Sequence, residues 1–587
     1  MDQRYEIRKA KTTFARYLKY QFNGMKRQEN KVKTGFSGIT DTIVKLPGGI
    51  SVSMQNLLVT MLLFFTFILF SGSLRNEMLI GWDDGEYITD PDVTEYGLAG
   101  KSDIFSSFHL GMYQPLAVLS FAINYKISGD APVTYILINL LLHLLNTWLV
   151  FKLMKQWLKR FEPAFIAALL FAIHPMHVEG VVWISTRSSL LYSAFFLIGL
   201  LQYEKYLNTG KTGHYLLTLL WAIFALFSKS MAATFPLILL LVDFYRNRKF
   251  TGKVILEKIP FLIFSIIFGI ISIKASASFG HITVLEDDYS LPGRLVLMLY
   301  GISFYLVKLA LPINLSAIYA FPGSANGIYP AWVYTSIIAL IALIIIVFVA
   351  KERRRLYIFG SLFFLFSISM VLPLFWSRIF ITADRYTYIP YLGLFIIIAD
   401  LITGVWDRRS ELQASTRRML YTSAFLLTIL LLATTWNRIR VWHDVPTLLG
   451  DVIEKQRSDS DMAHGYFYLG NYYDTGGKDE EAVKNYNLAI SRNSRYLLAY
   501  NNRGILKGKH MDINGAIADF TQAITLKPDY AEAYYNRGVA YYQQQQPDRA
   551  CADWTKASQL GFKQANSVIS RYCFRQKLPN FDKATSD

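Results

Sequence analysis

Apolar residues gather into runs of spanning length from Leu57 to about Trp436, and beyond Trp436 the runs stop. A helix needs about 20 apolar residues to cross hydrocarbon. On that rule the pattern predicts spans near 54–74, 133–154, 162–181, 188–206, 214–228, 232–247, 257–276, 330–350, 356–375, 387–404 and 417–436. The predicted fold class is all-α: a polytopic helical membrane region of about eleven spans, then a helical C-terminal module. Residues 294–312 are also long enough to cross, but a crossing there would force Lys351–Arg355 outside. They are read as a re-entrant or interfacial element on the outer side. The shorter apolar stretch 115–127 reads as an interfacial helix.

Basic residues set the orientation. Lys152, Lys155, Lys159 and Arg160 mark an inner loop, as do Arg246, Arg248, Lys249, Lys253 and Lys258. Lys351–Arg355 and Arg408–Arg418 mark two more, with the N-terminus inside. Hydrophobic residues make up 53% of the 587 and the formal net charge is +17. The basic excess lies in short inner loops and in residues 1–50, which read as a cytoplasmic segment drawn to anionic lipid. No nucleic-acid-binding fold is recognisable, so nucleic acid is excluded as a partner. Cys551 and Cys573 are the only cysteines, which rules out a disulfide framework as the main source of stability. No cleavable signal peptide is evident, and the first span is expected to serve as its own insertion signal. In this topology residues 75–132, 174–188, 277–329 and 376–388 converge outside, together with the C-terminal module.

That module is a repeat. Gly470, Gly504 and Gly538 are spaced by 34 residues, as are Tyr466, Tyr500 and Tyr534, Ala482, Ala516 and Ala550, and Ala489, Ala523 and Ala557. With Phe520 and Pro528 in place, it resembles the tetratricopeptide repeat. Small residues let paired helices approach and aromatics fill between them. Three repeats over about 463–564 and a capping helix near 565–576 suffice for a stacked core. Asn502 and Asn536 share one repeat position. They either bind the backbone of an extended acceptor or bridge helices within the module.

The candidate chemistry lies at the outer ends of the spans. Asp83 and Asp84 follow the first span, with Glu86 close behind. Adjacent residues point in different directions, so one carboxylate faces a site while the other binds nearby backbone or a cation. The first is a candidate general base for an acceptor hydroxyl, and a turn or cap is the competing role. His174-Pro175-Met176-His177-Val178-Glu179 ends the third span. Its two histidines and Glu179 form an incomplete metal ligand set, and phosphate binding is the alternative. A divalent metal is therefore the one cofactor the sequence raises. Arg187, Lys229, Arg378 and Arg385 are basic residues in outer loops, where few are expected. A lipid-linked phosphate would receive them; the competing partners are Asp83, Asp84, Glu86, Glu179 and Asp384. Asn139, His143 and Asn146 share one helix face and are expected to bond between helices. Asp243 is expected to meet a nearby arginine.

Trp82-Asp83-Asp84, the run from His174 to Arg187, Ser228-Lys229-Ser230 and the run from Ala383 to Pro390 together resemble the transmembrane and tetratricopeptide-repeat O-mannosyltransferases. These are glycosyltransferases of the C superfamily (GT-C), and the resemblance covers about 50–565. It implies a polyprenyl-phosphate sugar donor, an inverting transfer and an extracytoplasmic active site. Asp83 or Asp84 would be the base, with His174, His177, Arg187, Lys229 and Arg385 on the donor phosphate. Glu86, Glu179 and Asp384 would be supporting acids. The implied acceptor is a protein Ser or Thr hydroxyl, or a glycan, held by the repeats through Asn502 and Asn536. The chain looks like a bacterial relative, placed in the cytoplasmic membrane with the repeats periplasmic. The expected layout is 1–50 basic segment, 51–440 catalytic membrane domain, 441–462 linker, 463–576 repeats and 577–587 tail. Two rival readings are a polysaccharide or O-antigen-type ligase or polymerase, and a non-catalytic transporter or envelope assembly scaffold.

Overall fold

Helices form where the apolar runs predict them. The computed structural model describes residues 43–45, 51–80, 82–95, 103–278, 290–319, 321–322, 328–373, 381–456 and 459–573. The basic segment up to residue 42, the tail 577–587 and Arg378 lie outside the described residues. Two units pack separately: Met1–Arg75, Pro91–Leu315 and Phe321–Arg440 form one, and Asn76–Asp90, Ser316–Ala320 and Val441–Asp587 the other.

In the first unit a small hairpin, Ile43–Lys45 with Ser51–Ser53, precedes α1, Met54–Ser71. Then follow α2 Pro115–Ser128, α3 Pro132–Leu158, α4 Phe161–Ile173, α5 Arg187–Thr209, α6 Thr212–Ser228 and α7 Phe235–Tyr245. After them come α8 Ile259–Ser278, α9 Leu291–Ala310, α10 Ile337–Val349, α11 Arg354–Ile368, α12 Tyr391–Asp407 and α13 Ala414–Val441. Among the described residues eight helices are long and apolar enough to cross a membrane, or nine if the pair Phe161–Ile173 and Pro175–Val182, bent by 55°, is one span. The shortfall from eleven has a local cause. Helix α6 and α12 are 17 residues long and α7 is 11, because Lys229-Ser230 and Pro390 interrupt the helices.

Side-chain contacts tie together the ends expected to be inner. Arg160, before α4, grips Asp407 at the end of α12 with bonds of 2.6 and 3.0 Å. Trp157 of α3 donates to Glu204 of α5 at 2.8 Å, and Tyr245 of α7 donates to the Trp157 carbonyl. Asp243 meets Lys258 at 2.7 Å and Arg248 at 3.4 Å, and it accepts from Tyr203. The expected basic partner is thus joined by a lysine and a phenol. Helices α11 and α12 cross at Gly360 and Gly393; a Cβ on either would strike the other's backbone. Small residues of this kind are what allow helices to pack closely in lipid.

Helix α9 differs from the expectation in being one unbroken helix of spanning length. Residues 316–320, which follow it, belong to the second unit together with 76–90 and 441–587.

The second unit is built from α14 Val445–Lys455 and three antiparallel pairs: α15 Asp459–Thr475 with α16 Asp479–Arg492, α17 Leu497–Lys509 with α18 Ile513–Leu526, and α19 Ala531–Gln543 with α20 Pro547–Gln559. The glycines of the 34-residue pattern mark the closest approaches. A Cβ at Gly470, Gly504 or Gly538 would lie 2.5, 2.8 or 2.6 Å from Tyr486, Phe520 or Trp554. Arg503 binds Asp519 through two bonds of 2.8 and 2.6 Å, and one repeat later Arg537 binds Asp553 likewise at 2.8 and 2.9 Å. The short helix Gln564–Val568 and the turn Ile569–Cys573 close the stack, and a Cys551–Cys573 disulfide fastens that turn to α20.

Candidate functional site

The five residues expected on the donor side, His174, His177, Arg187, Lys229 and Arg385, sit at the ends of α4–α6 expected to be outer and before α12, and they separate into distinct environments. Glu179 is fully buried in the short helix after the Pro175 break. Its carboxylate accepts the Arg385 backbone N–H at 3.1 Å and pairs with the Arg385 guanidinium. That guanidinium also lies over the rings of Trp183, at 5.1 Å, and Tyr386, at 5.0 Å. Arg385 is therefore held on three sides while staying partly exposed. Asp384, beside it, is buried and lies 3.8 Å from the buried Arg438 of α13, a distance beyond hydrogen-bonding range.

Arg187 has a different surrounding. It is fully buried at the start of α5. Its guanidinium donates to Asn139 at 2.9 Å, Asn124 at 3.0 Å, the Tyr135 carbonyl at 2.9 Å and the Ser120 carbonyl at 3.3 Å. It lies 4.6 Å from the Phe121 ring centroid. It joins α2, α3 and α5. Lys229 donates to Ser189 at 2.6 Å and is half-buried. The polar stripe of α3 bonds between helices as its spacing predicts. Asn139 donates to the Trp183 carbonyl, His143 pairs with the Tyr388 hydroxyl at 2.8 Å, and Asn146 donates to the Leu190 carbonyl.

The His174, His177 and Glu179 set does not fit a metal. His174 Nδ1 accepts the Met176 N–H at 3.3 Å, so the ring carries its proton on Nε2, which faces the Leu309 carbonyl at 3.2 Å. His177 Nδ1 faces the Phe171 carbonyl at 2.8 Å, and both rings pack among Tyr391 and Phe395. Both oxygens of Glu179 are taken by Arg385. No step is assigned to a metal at these residues.

In the second unit the adjacent acids diverge, as adjacent residues must. Asp84 is buried and accepts the Leu79 N–H at 3.1 Å. Asp83 is half-buried at the first turn of the helix Asp83–Ile88, and Glu86 is exposed. Trp82 stacks on Tyr468 of α15 with centroids 5.6 Å apart, and Glu77 donates its N–H to the His443 carbonyl at 2.8 Å. Burial, and after it the charge of Asp83, push the Tyr87 and Tyr468 hydroxyls above the ordinary phenol range. Asn502 and Asn536 bridge helices: Asn502 donates to Asn471 at 3.0 Å and Asn536 to Asn501 at 3.1 Å. Both remain half-buried.

Sequence reasoning missed two residues. Tyr305 of α9 accepts the Ala383 N–H at 3.2 Å and faces the Ala383 carbonyl at 3.3 Å, which fixes the peptide before Asp384-Arg385. Arg438 comes from the far end of α13. Nothing local marks either one; a buried arginine in an apolar helix end was the one available signal.

Fold and site together define a polytopic helical membrane protein with paired charges at its helix ends and a tetratricopeptide solenoid. Models described as "TPR repeat" and "Tetratricopeptide repeat" match residues 512–545 and 531–561. The "Protein O-mannosyl-transferase F38B6.6" of Caenorhabditis elegans is 24% identical over 409 residues, covering 68% of this chain and 56% of its own. The human "Protein O-mannosyl-transferase TMTC1" is 23% identical over 460 residues, covering 67% and 49%. The Drosophila melanogaster "Protein O-mannosyl-transferase Tmtc1" is 36% identical over 133 residues, which are 23% of this chain and 16% of its own. The chain is similar to these proteins over the matched stretches, and it spans about half the length of the worm and human relatives.

Proposed function

We propose that this protein is a membrane glycosyltransferase of the GT-C type that moves a sugar from a polyprenyl phosphate to a protein Ser or Thr hydroxyl outside the cytoplasm. The carrying observation is the split of the acid pair. Asp84 is spent on the Leu79 N–H, whereas Asp83 stays half-exposed in the same unit as the repeats. The Asp83 carboxylate takes the hydroxyl proton, and the oxygen attacks the anomeric carbon. The bond to the donor phosphate breaks, and polyprenyl phosphate leaves with the electron pair. Attack opposite the leaving group inverts the anomeric centre. Arg385, oriented by Glu179 and Trp183, and Lys229 offset the charge that develops on that phosphate. Preorganised charge of this kind contributes several kcal/mol at a barrier, roughly 3 for one donor.

The disulfide supports the sidedness, since such bonds persist in oxidising compartments. The names of the matched relatives support a protein acceptor and a sugar donor. The proposed setting is a bacterial cytoplasmic membrane with the repeats periplasmic.

The test is purified protein with labelled polyprenyl-phosphate sugars and a periplasmic extract. Asp83→Asn is expected to lose transfer about 100-fold or more, the usual weight of a general base. Asp84→Asn is expected to act through folding of the 76–90 segment. Undiminished transfer by both variants would refute the assignment.

A further inference from the structure

Helix α4 ends without its usual donors. Pro175 has no N–H to offer the Phe171 carbonyl. The Met176 N–H turns to His174 Nδ1 at 3.3 Å, and the His177 N–H turns to the His174 carbonyl at 2.9 Å. The carbonyls of Phe171, Ala172 and Ile173 are thereby left to side chains, since buried backbone groups are paired as a rule. His177 Nδ1 meets Phe171 at 2.8 Å, His143 Nε2 meets Ala172 at 3.2 Å, and the Thr435 hydroxyl donates to Ile173 at 2.6 Å. All three side chains are fully buried. The chain bends by 55° here and enters the short helix that carries Glu179.

His143 does more than cap a helix end. A carbonyl oxygen only accepts, so the proton of the neutral ring sits on Nε2, toward Ala172. Nδ1 then accepts the Tyr388 hydroxyl at 2.8 Å, while Asn146 donates to the same hydroxyl oxygen at 3.4 Å. Tyr388 follows Arg385 by three residues. The Tyr388 ring also lies against the residue after Glu179, because a Cβ on Gly180 would be 3.5 Å from it. One imidazole on α3 therefore holds two segments through its two nitrogens. The first leads to Glu179, and the second carries Arg385.

We propose that His143 is a positioning residue for Arg385: it sets the register of these two segments, so that Glu179 aims the Arg385 guanidinium at the departing phosphate. The proposal rests on the transferase reading for the role of Arg385, and on the hydrogen bonds of His143 for the rest. Its rival is a purely structural role, in which His143 joins helices and affects stability alone.

The experiment uses the full chain in detergent with a labelled polyprenyl-phosphate sugar. His143→Phe keeps an aromatic ring among Phe70, Phe171 and Tyr388 and removes both bonds. Its kcat is expected to fall about tenfold, the effect of a misplaced charged group, with acceptor KM unchanged. In an Arg385→Met background the same substitution should lower the residual kcat less than about two-fold, because its effect passes through Arg385. A second readout needs no transfer: the rate at which phenylglyoxal modifies Arg385, followed by peptide mass spectrometry. That rate should rise about five-fold in His143→Phe, the scale of one loosened hydrogen bond. If His143→Phe does not fold, Tyr388→Phe, which removes one of the two bonds, carries both readouts. Unaltered kcat and Arg385 reactivity, or an equal fall in kcat in both backgrounds, overturns the proposal. Faster modification of Arg385 in a protein whose parent transfers no sugar overturns the transferase reading and leaves the positioning role standing.

Discussion

Arg187 offers a sharp contrast between holding the fold and binding a donor. Replacing it with methionine keeps the bulk and removes the guanidinium. Four acceptors lose their donor: the Asn139 and Asn124 side chains and the Tyr135 and Ser120 carbonyls, all within 2.9–3.3 Å. Each buried group left unsatisfied costs about 1–3 kcal/mol. Such losses are not additive and two of the acceptors can re-pair, so the expected cost is about 3–5 kcal/mol, the scale of breaking a buried polar network. That corresponds to a melting point lower by roughly 10 °C at the scale of a domain of 150–250 residues. Arg187→Lys should lose much of the same stability, because an ammonium cannot serve four acceptors spread around a planar fork. The assay is thermal unfolding in detergent beside the KM for the lipid-phosphate sugar. The reasoning is refuted if Arg187→Met melts with the parent protein while donor KM rises tenfold.

Tyr305→Phe removes the hydroxyl that holds Ala383 and leaves its N–H short of that acceptor, while the Ala383 carbonyl keeps the Tyr386 N–H at 3.2 Å. We expect a stability loss of about 1–3 kcal/mol and a fall in transfer of about tenfold or more from a misplaced Arg385, read as kcat and donor KM; unaltered kinetics would make Tyr305 a packing residue alone. Acid should loosen the solenoid unit. The Asp444 carboxyl caps α14 through the Thr447 N–H at 2.7 Å and lies below its usual range; burial opposes the shift and the Thr447 and His443 contacts outweigh it. Asp479 is lowered chiefly by Lys509 and then by His510. A lowered folded-state pKa stabilises fully above the unfolded value, 3.8 for both, and that stability fades as pH falls through the folded value. Circular dichroism melts from pH 6 to 3 should show a decline only toward the acid end, and Asp444→Ala should remove part of it; a decline already complete above pH 5 would contradict this account.

The apolar runs and the 34-residue pattern determined the helical class and the place of the repeats. They could do so because hydropathy, periodicity and close glycine contacts are local properties: Gly504 meets Phe520 within one repeat. Chain distance hid the remainder. Glu179 and Arg385 are 206 residues apart, and their pairing became visible only in three dimensions. Burial decided that Arg187 binds Asn139 and Asn124, and that the two histidines face backbone carbonyls among aromatic rings. Tertiary packing alone shows that 76–90, 316–320 and 441–587 fold as one unit, because a composition rule reads neighbours along the chain and not contacts across it.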